Sequence, residues 1–86
     1  MSLSEPVELV RRLAATPHVG AMNVIEQAIN RYAAGYIRLD ERGIALDILL
    51  RDLARLRTVE PDLDPFIAEV EGYIDSLHRQ LTRRAA

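Results

Sequence analysis

Glu60, Asp62 and Asp64 alternate in the manner of the first three oxygen ligands of a calcium-binding loop, and Glu71 falls where a bidentate glutamate would close the site. A hard cation held this way needs the loop to turn sharply at a glycine between those ligands. Pro65 occupies that place, and a proline ring cannot adopt the positive φ that the turn demands. Calcium binding is therefore not expected. His18 and His78 are the only imidazoles. Their neighbours at helical spacing are Met22, Ile74 and Thr82, none of them a good ligand. Cysteine is absent, which excludes disulfides, zinc–thiolate sites and thiol nucleophiles.

Nucleophilic catalysis fares no better. Asp75, Ser76 and His78 carry the right groups for a triad, but positions i and i+2 of a helix point to different faces. Asp75-Ser76-Leu77 also spells the tripeptide around the phosphopantetheine serine of acyl carrier proteins. That serine opens a helix near mid-chain, whereas Ser76 lies inside a strongly periodic segment with ten residues to follow. No phosphate-binding glycine loop, G-x-S-x-G elbow or H-E-x-x-H occurs. The reading is of a chain with no catalytic residue, cofactor or metal site, and His78 is expected to pair with Asp75 on the surface.

The chain has 86 residues, of which 49% are hydrophobic and 28% charged. That is one domain at most. Thirteen acids against eleven bases leave a net charge of −2, a poor match for coating phosphates. Every base is arginine, and with eleven alanines and twelve leucines this bias points to a GC-rich, bacterial genome. Arg11, Arg12, Arg79, Arg83 and Arg84 would form a basic patch if the fold brought the two ends of the chain together. A DNA-reading helix-turn-helix is not supported, because large or charged residues sit at its small and apolar positions around Gly35 and Gly43. The first residues lack a basic and then apolar leader, and no apolar run approaches the roughly 20 residues of a membrane span. The cytoplasm is the expected location.

Hydrophobic spacing sets the elements. Val7, Val10 and Ala14 share a face over residues 5–15, with Ser2 or Ser4 as N-cap and Glu8 one turn before Arg12. Thr16-Pro17 closes this segment and opens the next. Met22, Ile25, Ile29, Tyr32, Tyr36 and Leu39 then recur at spacings of three and four, a helical seam that continues to Leu53. Either one helix runs from about 20 to 57, or the chain breaks between Gly35 and Gly43. A break is preferred, with Gly35 as the residue beyond the helix end and Asp40 as the next N-cap. Tyr32 and Tyr36 belong to the core on this pattern, or else to a partner surface, where tyrosine is enriched.

Residues 41–57 place Ala45, Leu46, Leu49, Leu50, Leu53 and Leu56 in one sector, with Asp47, Arg51 and Arg55 opposite and Asp47 well placed to pair with Arg51. Ile44 and Ile48 stand outside that sector, one turn apart. Asp64 and Pro65 read as N-cap and first position of a last helix, 65–83, carrying Ile67, Val70, Ile74, Leu77 and Leu81. Its acids lie toward the start and its arginines toward the end, as the helix dipole favours.

The expected object is an all-α antiparallel bundle of three or four helices, about 5–15, 18–35, 41–57 and 65–83, packed as a homodimer. Its expected core is Val10, Leu13, Ile25, Ile29, Tyr32, Leu46, Leu49, Leu50, Leu53, Leu56, Ile67, Val70, Ile74, Leu77 and Leu81. Its expected role is a non-catalytic protein–protein interaction module (adaptor, chaperone, inhibitor or antitoxin-like neutraliser). The docking residues would be Ile44 and Ile48, or the acidic set Asp62, Asp64 and Glu71. The alternatives are a nucleic-acid-associated regulator using the terminal arginines, and a small helical enzyme with a site at the dimer interface.

Overall fold

The computed structural model describes residues 4–15 and 19–85. The expected cap at Ser2, the Thr16-Pro17 junction and His18 lie outside the described residues. Four helices make up the fold: α1 (Glu5–Ala15), α2 (Ala21–Ala34), α3 (Leu39–Val59) and α4 (Asp64–Ala85), the last entered through a 3₁₀ turn at Pro61–Leu63. No strand occurs among the described residues. The protein is an all-α domain, 38 × 28 × 19 Å along its principal axes. None of the described helices is long and apolar enough to cross a membrane.

The two long helices form the frame. α3 and α4 run antiparallel from the Pro61 turn, so that Arg57 meets Glu71 near it and Asp47 meets His78 farther away. α1 and α2 pack on each other and against this pair. Into the space between them go Val7 and Val10 of α1, Ile25 and Ile29 of α2, Leu46, Leu49, Leu53 and Leu56 of α3, and Ile67, Val70 and Ile74 of α4. No polar or charged residue is buried among the described residues. The hydrophobic effect, at about 25 cal/mol per Å² of apolar surface hidden, drives this assembly without help from an internal polar network.

The core is narrower than the spacing predicts. Leu13, Tyr32, Leu50, Leu77 and Leu81 are only partly buried and flank it. α1 has 11 residues against 22 in α4, so it cannot cover the longer helix from end to end. In exchange, Val7 and the alanines Ala21, Ala28 and Ala45 are buried although the expected core omits them. Small side chains there let helix backbones approach closely.

The seam through residues 22–53 is broken, by α2 ending at Ala34 and α3 starting at Leu39. Gly35 does not serve as a left-handed cap: its φ of −65° and ψ of −14° are right-handed. The helix tightens instead, with the Tyr36 N–H donating to Ala33 O at 3.1 Å, and the chain then extends at Arg38. Arg38, not Asp40, is the N-cap of α3. Asp40 lies in the first turn, where it accepts from the Glu41 N–H at 3.0 Å and pairs with Arg38 at 3.1 Å.

Asp64 is likewise helical, with φ −51° and ψ −48°, and its carboxylate turns to Arg57 rather than capping α4. α2 begins three residues later than expected, whereas α3 and α4 reach beyond both predicted ends. Three expected pairings are replaced. Glu8 binds Arg11 at 2.7 Å instead of Arg12, and Asp47 and His78 leave Arg51 and Asp75 to meet each other at 2.9 Å.

Candidate interaction surface

The α2–α3 junction exposes apolar side chains that the bundle does not cover. Tyr36 and Ile37 lie in the connection itself, and Ile44 and Ile48 project from the first half of α3. Ile37 is 89% exposed, Ile44 58% and Ile48 39%. Tyr36, Ile44 and Ile48, with Ala45 beneath and Glu41 at the rim, line one open groove of about 260 Å³. A large exposed apolar side chain standing alone needs no explanation; a contiguous set does.

Local chemistry holds the groove's wall in place. Arg42, on the second turn of α3, reaches back and donates from Nε to the Tyr36 carbonyl at 2.6 Å. The Tyr36 ring stands edge-on to Tyr32, with centroids 6.0 Å apart and planes at 64°. That geometry suits the aromatic quadrupole. Burial first, and then the Tyr36 hydroxyl, push the Tyr32 phenol above its ordinary pKa. Tyr32 thus anchors the junction from the core side while Tyr36, 37% exposed, forms part of the surface.

Ile44 and Ile48 share a groove, as their one-turn spacing allows. The acidic trio is differently placed. Asp62 is exposed on the 3₁₀ turn, but Asp64 and Glu71 both bind Arg57, Glu71 through contacts of 2.5 and 3.3 Å. Glu71 holds the Arg57 guanidinium above its ordinary pKa. Two of the three carboxylates are therefore already paired within the bundle, and residues 64–71 are helical rather than part of a loop. No group of three or more potential metal ligands gathers among the described residues.

Of the basic set, Arg11 and Arg84 lie apart. Arg11 lies beside Leu56 and Val59 near the end of α3, paired with Glu8. Arg84 lies beside Arg42 near the start of α3. Fourteen residues of helix, about 21 Å, separate those two neighbourhoods. Arg12, Arg79 and Arg83 are exposed. Arg42 and Arg84 do share a shallow cleft of about 200 Å³ with Asn30 and Gln80. The Asn30 carbonyl there is taken by the Tyr73 hydroxyl at 2.7 Å.

Sequence reasoning missed Arg57, Arg42 and the Asn30–Tyr73 bridge. Arg57 was legible in principle, because a helical hairpin turning near Pro61 brings residues at similar distances from the turn face to face. The Arg42 contact depends on the path of the short α2–α3 connection, and the Asn30–Tyr73 bridge on how α2 lies against α4, which no local pattern encodes. No known protein family matches the chain, and no characterised protein or solved structure is similar enough to it to carry an argument.

Proposed function

We propose that this chain is a protein–protein interaction module that docks a partner through the outward face of α3 and has no chemistry of its own. One observation carries the reading: Tyr36, Ile44 and Ile48 converge on one open apolar groove that the chain's own helices leave uncovered. Burying an isoleucine fully is worth about 1.5–3 kcal/mol, so a partner covering this groove gains affinity from few contacts. The Arg42–Tyr36 bond favours the same reading, since a wall fixed beforehand lowers the ordering cost of association.

The test is affinity purification of the tagged chain from its own host beside an Ile44→Glu/Ile48→Glu variant. The proposal expects at least one protein held by the wild type and absent from the variant, with circular dichroism unchanged. Identical sets of captured proteins would overturn it.

A further inference from the structure

The outward face of α3 carries a pattern beyond its two isoleucines. Glu41, Ile44, Ile48 and Arg51 follow at spacings of three, four and three. At about 100° per residue they fall within some 80° of arc, directed away from Leu46, Leu49 and Leu53. An acid thus stands at one end of an apolar strip and a base at the other. Of the neighbouring charges on α3, Asp40 pairs with Arg38 and Arg55 with Asp52 at 3.7 Å. Among the described residues, Glu41 and Arg51 have no ion-pair partner.

They cannot satisfy each other in one molecule. Ten residues of helix set them about 15 Å apart. A second copy running antiparallel solves this. With a two-fold axis between Ile44 and Ile48, position 44 lies opposite 48 and position 41 opposite 51, twice over. Parallel packing in register would instead set acid against acid and base against base.

We propose that this face docks onto a second copy of the chain, the two α3 helices antiparallel about a two-fold axis, with Glu41 meeting the partner's Arg51. The isoleucines form the dry centre of the contact, and the Glu41–Arg51 pairs fix its register and direction. The occupant's identity rests on reading α3 as the docking face; the self-complementary charge is an addition to it. An isologous contact of this kind closes on itself and leaves no further sticky edge.

The experiment is light scattering over a concentration series on five chains: wild type, Ile44→Glu, Glu41→Arg, Arg51→Glu and the double reversal Glu41→Arg/Arg51→Glu. The wild type is expected to approach twice its 9.7 kDa mass. Ile44→Glu is expected to remain single. Each single reversal puts like charges together at both symmetric positions and weakens the dimer roughly tenfold, while the double reversal restores it. A double reversal as weak as the singles overturns the antiparallel pairing. A wild type that stays monomeric, yet loses a captured host protein on Ile44→Glu, overturns self-docking and leaves the interaction reading standing. A dimer indifferent to every substitution overturns both.

Discussion

Arg57, in the last turn of α3, holds Glu71 of α4 through both terminal nitrogens, at 3.3 and 2.5 Å, while its Nε side faces Asp64. One guanidinium thereby ties the end of one long helix to the first two turns of the next. A planar fork suits two carboxylates in a way that a lysine cannot match.

Arg57→Gln should lower the thermal midpoint more than Arg55→Gln, whose ion pair with Asp52 is long at 3.7 Å and made by a side chain left 67% exposed. Combining Arg57→Gln with Glu71→Gln should cost less than the sum of the two changes, because each already removes the shared contact. The raised Arg57 pKa means that any stability linked to it is present below its unfolded value and lost only as pH passes through the still higher folded one. The clamp should therefore persist throughout moderately alkaline buffers. Thermal melts of wild type, the three single variants and the double variant would check this; additive losses would remove the clamp.

Gly72 should tolerate alanine and be improved by it. It sits inside α4, exposed, and a Cβ built there meets nothing within 4 Å. Glycine in a helix interior costs about 0.8–1.0 kcal/mol relative to alanine, so Gly72→Ala should raise unfolding free energy by roughly that amount in a urea titration. Gly43→Ala should gain a similar amount, since its Cβ would meet the His78 ring at 3.7 Å, an ordinary van der Waals contact that displaces nothing.

Adjacent leucines on α3 should behave very differently. Leu49 is 0% exposed at the centre of the core, whereas Leu50 is a partly buried flank. Leu49→Ala should cost about 2–5 kcal/mol, a large part of the total stability of a domain this size. Leu50→Ala should cost markedly less, because solvent already reaches its site. Denaturant midpoints would decide, and equal losses would contradict the burial pattern.

That contrast also marks what the sequence could disclose. Period and punctuation were enough to expect a bundle of three or four helices, to prefer a break between Gly35 and Gly43, and to single out Ile44 and Ile48 as standing outside the leucine sector. They could not separate Leu49 from Leu50, since both lie in the same broad arc and only the placement of α1 and α2 decides which is covered. Capping was misread for a related reason. Asp40 and Asp64 have the side chains of N-caps, but each is helical and turned toward an arginine that the sequence pattern did not connect to it. The seam left Tyr36 to the core or to a partner surface; the chain leaves the helix just before it and carries its ring to the surface.

Tyr32 should make the fold sensitive to alkali. Its phenol is pushed above the ordinary value first by burial and then by the Tyr36 hydroxyl, so the folded chain holds that proton more tightly than the unfolded one. Between the unfolded pKa of about 10 and the folded value, the native state binds the extra proton, and stability must fall as pH rises. Below about pH 10 both states are protonated and the contribution is present in full. Wild-type melting temperature should accordingly decline as pH climbs past that point, and Tyr32→Phe, which has no proton to lose, should flatten the decline. Tyr36→Phe should flatten it less, since it removes only the neighbour's part of the shift and leaves the burial of Tyr32 in place. Melting curves of the three chains across the alkaline range supply the measurement; a Tyr32→Phe profile parallel to wild type would show that this phenol does not control the loss.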